Sequence, residues 1–127
     1  MVLSTKVDPI ISNMRQVSRT EAIINANLKD FVATEFRYHM LMMRYLLEVQ
    51  EKLDMSGLEI VKACTSEPII LKYGSKVVVI QPKYNMEGSR VSITHFCIDD
   101  TEVSIDNAYD SLYGYLSGIK NLVNELL

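Results

Sequence analysis

The chemistry this sequence can offer rests first on four side chains. His39, Cys64, His95 and Cys97 are every histidine and cysteine in the chain, and together they would make a Cys2His2 set of the kind that holds zinc. His95 and Cys97 stand two residues apart, so on a strand they share a face, and Val91 and Ile93 continue that face. Structural zinc sites bring their ligands in closely spaced pairs, and the chain has no CxxC or HxxxH. His39 sits inside an apolar helical stretch. The four are therefore read as core or half-buried residues, and no metal or cofactor is expected.

A thiol nucleophile is the second candidate, with Cys97 beside His95 as base and Asp99 as orienting carboxylate. Alternate strand positions lie roughly 6.5–7 Å apart, too far for a relay. Neither a Gly-rich elbow nor a helix N-terminus adjoins Cys97 to activate it. Gly74-Ser75-Lys76 lacks the first glycine and the following helix of a phosphate loop. Asp99-Asp100 reads as a turn rather than an acid–base pair. No catalytic residue is expected, and the chain is read as non-enzymatic.

Tyr109, Tyr113 and Tyr115, with Tyr73 and Tyr84, could stack on bases, and Lys72, Lys76, Lys83 and Arg90 could supply a thin basic track. The charge balance opposes this. Residues 1–55 carry seven basic and seven acidic side chains, residues 56–127 carry six and nine, and the net charge is −3. Nucleic-acid accessory binding is kept only as a further alternative, and packing is the preferred role for the tyrosines. Met40, Met42 and Met43 could line an adaptable protein-binding surface, or fill gaps in the core.

These residues must be positioned by an α+β chain. One stripe runs Ile10, Met14, Val17, Glu21, Ile24, Leu28, Phe31, Glu35, Tyr38, Met42, Tyr45, Val49, Lys52, with spacings that alternate four and three. That is the heptad signature of a helix–helix seam. Asp8-Pro9 reads as a helix start. Unbroken, a helix of about 45 residues would reach about 68 Å, longer than a compact domain of this size. Either it projects to meet a partner, or it breaks near residues 17–28, where Ser18-Arg19-Thr20-Glu21 matches a capping box. The segment from Leu28 to Leu53 reads as helix in either case, and from Phe36 to Leu47 it is apolar nearly all round.

Beyond Ser56-Gly57 the pattern changes to strands. Leu58 to Thr65 reads as strand or short helix, with strand preferred. Pro68–Tyr73 and Lys76–Lys83 form a hairpin about Gly74-Ser75, a pair suited to a type II′ turn. A loop over Asn85–Ser89 leads to a strand from Arg90 to Ile98, and Glu102–Ile105 reads as a short edge strand. Asp106 caps a last helix with the stripe Ile105, Tyr109, Leu112, Leu116, Ile119, Val123, Leu126.

The expected architecture is a single domain, 1–127. It has one long or two shorter helices over about 8–55, a meander of three to four antiparallel strands over about 58–105, and a helix over about 106–127 packed on one face of the sheet. The chain has 48% apolar and 23% charged residues, values that support a packed core without disulfides. No signal peptide and no membrane span are read, and two cysteines without a framework point to the cytoplasm. The functional expectation is a self-associating adaptor or assembly subunit. Its seam residues would be Ile24, Leu28, Phe31, Tyr38, Met42, Tyr45 and Val49, in a coiled-coil-like homodimer or against a protein partner. The alternative is a small-molecule-binding domain or minor enzyme, with a pocket between sheet and helices near Tyr38, His39, His95 and Cys97.

Overall fold

The heptad pattern runs straight through a break in the backbone. A computed structural model describes residues 14–61 and 65–126. In it Arg15–Val17 is a strand (β1), followed by helix α1 (Arg19–Asn25) and helix α2 (Leu28–Lys52). The helical stretch expected from about residue 8 is thus corrected: among the described residues it begins at Arg19, and the expected start at Asp8-Pro9 lies outside them. Ser18 caps α1, its hydroxyl accepting from the Glu21 N–H at 3.1 Å. Asn27 caps α2, its side-chain oxygen accepting from the N–H groups of Lys29 and Asp30 at 3.0 and 3.2 Å. Asparagine is poor inside a helix and good at its start, because its short amide satisfies N–H groups that have no helical partner. The Asn27 N–H donates to the Ser89 carbonyl at 3.0 Å, which ties the break to a hairpin tip.

After α2 come β2 (Glu59–Ile60), β3 (Ile69–Tyr73), β4 (Lys76–Glu87), β5 (Arg90–Ile98) and β6 (Thr101–Ser104). A short 3-10 turn (Ile105–Asn107) then leads into helix α3 (Ala108–Leu126). The sheet is antiparallel and six-stranded, in the order β2-β3-β4-β5-β6 with β1 also on β4. It therefore has more strands than the three or four expected. Ser104, not Asp106, caps the turn into the last helix, its hydroxyl accepting from the Asp106 N–H at 3.3 Å. Only Gly74, and not Ser75, takes a positive φ in the β3–β4 turn, as a type II′ turn requires.

The long strand β4 organises the site. Its first half pairs with β3 and its second half with β1, end to end along the same edge. Asn85, Met86 and Glu87, expected in a loop, continue the strand because they pair with β1 and with β5. Val79 exchanges hydrogen bonds with Asp99 beyond β5, so even-numbered residues of β4 aim their backbone groups at β3 and β1. Ile80 pairs with Ile69 and Tyr84 with Val17. Pro82 falls between them, in the gap where no strand pairs, and this is the one place in β4 where a missing N–H costs no ladder bond.

A bulge reverses the faces of β5. From Lys83 to Asn85 is two steps on β4, but from His95 to Ser92 is three on β5, so β5 holds one extra residue. Val91 and Ile93 face the helices before the bulge, and Phe96 and Ile98 face them after it. His95 and Cys97 consequently point to the other side of the sheet. The shared face expected for Val91, Ile93, His95 and Cys97 is thereby overturned.

Helices α2 and α3 pack on one face of the sheet. Met42, Leu46 and Val49 of α2 meet Leu112 and Leu116 of α3 over Leu71, Ile80, Phe96 and Ile98. A smaller cluster joins Ala22 and Phe31 to Tyr84, Met86 and Val91. Asp99, at positive φ in the β5–β6 turn, is more than a solvated turn residue. Its carboxylate accepts from the Val79 N–H at 2.9 Å and from the Tyr115 hydroxyl of α3.

That bond has a measurable consequence. The hydrogen bond to Asp99, reinforced by burial, pushes the Tyr115 phenol up to about 12. The fold favours the neutral phenol, so its stabilisation is complete below the ordinary tyrosine value of about 10 and is lost as pH climbs towards about 12. Phenolate absorbance should show one tyrosine titrating near pH 12, and Tyr115→Phe should remove that step.

Candidate functional site

Two regions stand out among the described residues, a cavity and an exposed apolar strip, and α2 contributes to both. The first is a cavity at the gap in the β4 edge. Val17–Arg19, Tyr38 and His39, residues 65–69 and Ile80–Tyr84 line it. Its volume is about 240 Å³.

Arg19 and Tyr84, which line the cavity, belong to a part-buried ionic network centred on Glu35. Glu35, 6% exposed, accepts from Arg19 Nε at 2.7 Å and from Arg19 Nη2 at 3.2 Å, and also from the Tyr84 hydroxyl. Arg19 lies over the Phe31 ring, 5.4 Å from its centroid, and Phe31 stacks on Tyr84 at 5.7 Å. Burial, then the bond to Glu35, raises the Tyr84 phenol well above its ordinary range. The network ties α1, α2 and β4 together, and its charges cancel locally. Removing one partner strands the buried carboxylate. Arg19→Ala should therefore cost about 2 kcal/mol in urea unfolding, and Arg19→Ala with Glu35→Leu should cost less than Arg19→Ala alone.

Above the network, the Tyr38 hydroxyl is buried and has no hydrogen-bond partner among the described residues. Burial raises its phenol far above the ordinary range. The pocket expected near Tyr38, His39, His95 and Cys97 is thus split. Tyr38 and His39 border the cavity, while His95 and Cys97 are on the far face of the sheet. There Lys83 pairs with Glu102 at 3.9 Å, and a chain of contacts runs from Asn85 Nδ2 to Thr94 Oγ1 at 2.8 Å and on to His95 Nδ1 at 3.0 Å. Cys64 lies outside the described residues. Among those described, no group of three or more His, Cys, Asp or Glu side chains converges to hold a metal ion.

The second region is the outer side of α2. Leu28, Val32, Phe36, Met40 and Leu47 are 66, 56, 55, 54 and 54% exposed, and half-buried Met43 lies among them. At about 100° per residue these six fall within an arc of about 120°. Its centre is roughly 110° round the helix from the face that packs on the sheet. Ile24 of α1, before the break, is also exposed, at 73%.

The seven seam residues divide accordingly. Phe31, Tyr38, Met42 and Val49 are buried in the chain's own core. Tyr45 meets Tyr109 of α3 edge-on at 5.6 Å. Ile24 and Leu28 face solvent. The seam is spent mostly on the sheet and α3, and of the two left over Leu28 belongs to the adjacent strip. The sequence contained that signal as a run with spacing four, Leu28, Val32, Phe36, Met40, masked by the stronger heptad pattern beside it.

Of the five tyrosines considered for base stacking, three are engaged within the chain, Tyr84 with Phe31 and Glu35, Tyr109 with Tyr45 and Tyr115 with Asp99, while Tyr113 is 38% exposed. Among the described residues no helix is long and apolar enough to cross a membrane. No known protein family, characterised protein or solved structure matches the chain.

Proposed function

We propose that this is a non-enzymatic interaction protein that self-associates, as a dimer, through the outer strip of α2 and serves as an adaptor or assembly subunit. The observation that carries the reading is the strip itself. Five large apolar side chains, each more than half exposed, leave on the order of 500 Å² of apolar surface in one band. A patch of about 300–600 Å² is the largest on a typical monomer, and each partner in a standard interface buries about 800 Å². A polar rim brings the strip to that size. The free thiol of Cys97 fits a reducing compartment, and the reading includes a cytoplasmic location.

Peroxide oxidation of Met40 tests it. Met40 is exposed in one copy and covered in two, so its oxidation should be slow in concentrated solution and fast on dilution. Met14, also exposed and outside the strip's central band, should oxidise equally in both. Equal rates for Met40 at all concentrations would contradict the proposal.

A second reading is favoured by one specific observation, the buried Tyr38 hydroxyl without a partner at the edge of the β4 cavity. A small uncharged ligand with a hydrogen-bond acceptor would satisfy it. In that case the melting temperature should rise with such a ligand, and Tyr38→Phe should abolish the rise while leaving the fold intact. A broad screen without any shift would remove this reading.

A further inference from the structure

We infer that a second cavity, between α2 and β5, binds a small apolar monocarboxylate. Its carboxylate would sit on Arg37 and Arg90, and its body on Leu41, Ile93 and Ile105. This site shares only Tyr38 with the β4 cavity and includes no residue of the outer strip, so it does not rest on the self-association reading.

The cavity follows from the pairing of β5. Strand β6 pairs with β5 from His95 to Ile98, so the first part of β5, before the bulge, has no strand on that side. Helix α2 covers it instead. The Asp30 carboxylate accepts from the Val91 N–H at 3.1 Å, and the Thr34 hydroxyl donates to the Val91 carbonyl at 3.4 Å. These bonds close both backbone groups of Val91. Beside them remains a cavity of about 340 Å³, within the range of about 300–1,000 Å³ usual for small-molecule sites.

Its polar lining has unmatched charge. Arg37 and Arg90 both line it, and neither forms an ion pair among the described residues. Arg15 and Arg19, by contrast, each hold a glutamate. An arginine pair without a carboxylate is a departure in a chain whose net charge is −3. Asp30, which also lines the cavity, is already committed to the Val91 N–H. Arg37 Nη2 donates to the Thr34 hydroxyl at 3.4 Å, which ties its guanidinium to the cavity wall.

The charge balance selects the ligand. Two guanidinium groups and one carboxylate leave a single net positive charge, which one further carboxylate cancels. Guanidinium forks match carboxylate oxygens in geometry as well as charge. A phosphate monoester carries about −1.5 to −2 and would bring surplus negative charge beside Asp30. Leu41, Ile93 and Ile105 are half-buried, and an apolar body laid on them would leave water. An aromatic or branched aliphatic acid therefore suits the site better than acetate.

Calorimetric titration with benzoate tests the site. Benzoate should bind with a Kd of about 1 mM or tighter. Benzamide, its neutral counterpart, and phenyl phosphate should each bind at least about tenfold more weakly. Arg37→Gln and Arg90→Gln should each weaken benzoate about tenfold or more. Both side chains are exposed, so neither change should lower the melting temperature of the unliganded chain. Arg44→Gln, on the next turns of α2 and outside the cavity lining, should bind benzoate as the wild type does. No saturable binding of benzoate overturns the site, and so does equal binding of benzamide. An equal loss on Arg44→Gln overturns it too, because attraction to the general positive charge of α2 would then explain the binding. Tighter binding of phenyl phosphate overturns the choice of a monocarboxylate.

Discussion

Phe36→Glu combined with Met40→Glu should convert the chain to a monomer of 14.5 kDa and leave its melting temperature within a few degrees of the wild-type monomer. Both side chains sit mid-strip and are more than half exposed, so neither contributes much to the packing of its own chain. In the pair each would bury most of its remaining apolar surface at about 25 cal/mol per Å². A glutamate there must instead be desolvated without a partner, at a cost of several kcal/mol per dimer. Affinity should fall by at least two orders of magnitude, since each 1.4 kcal/mol is tenfold. Sedimentation velocity at matched concentrations reads this directly. An unchanged mass would show that the strip is not the contact.

Met42→Ala and Leu46→Ala should behave in the opposite way. Both side chains are fully buried between the sheet and α3. Truncating either leaves a cavity in a close-packed core, and such changes cost about 2–5 kcal/mol. For a chain of 127 residues that corresponds to a drop of roughly 10 °C or more in melting temperature. The association constant of whatever remains folded should change little. Urea unfolding at low protein concentration separates the two effects, because dissociation then precedes the transition. A small loss on Met42→Ala would mean that the heptad seam is not committed to the monomer's own core.

This contrast shows where the sequence was legible and where it was not. The α2 segment was legible from Leu28 onwards because its apolar repeats, its caps and the absence of Gly and Pro all agree. The break at Ala26-Asn27 was half legible, since Asn27 is a strong cap and a poor interior residue, but the heptad count continues across it undisturbed. Period alone tells that something packs along a face. It does not say whether the occupant is a sheet, a helix of the same chain or a second copy. Here sheet and α3 took Phe31, Tyr38, Met42, Tyr45 and Val49, and only Ile24 and Leu28 of the seven were left outside.

The β5 bulge had a trace in the sequence. Apolar residues at Val91 and Ile93 and then at Phe96 and Ile98 leave one spacing of three in a run of twos, which is how an extra residue registers. Reading the strand as strictly alternating put His95 and Cys97 with the core. The short strands β1 and β2 had almost no trace, because three and two residues are too few to establish a period. The Arg19–Glu35–Tyr84 network joins residues 16 and 49 positions apart, and no local pattern announces such a contact. Glu35 registered only as a polar interruption of the seam. Its burial is accounted for by the two partners that hold it.

Sedimentation equilibrium of the unmodified chain, over about a hundredfold range of concentration, tests the central claim most directly. The account predicts a mass of twice 14.5 kDa at the upper end and a smooth fall towards the single-chain value on dilution. A single-chain mass throughout would contradict it.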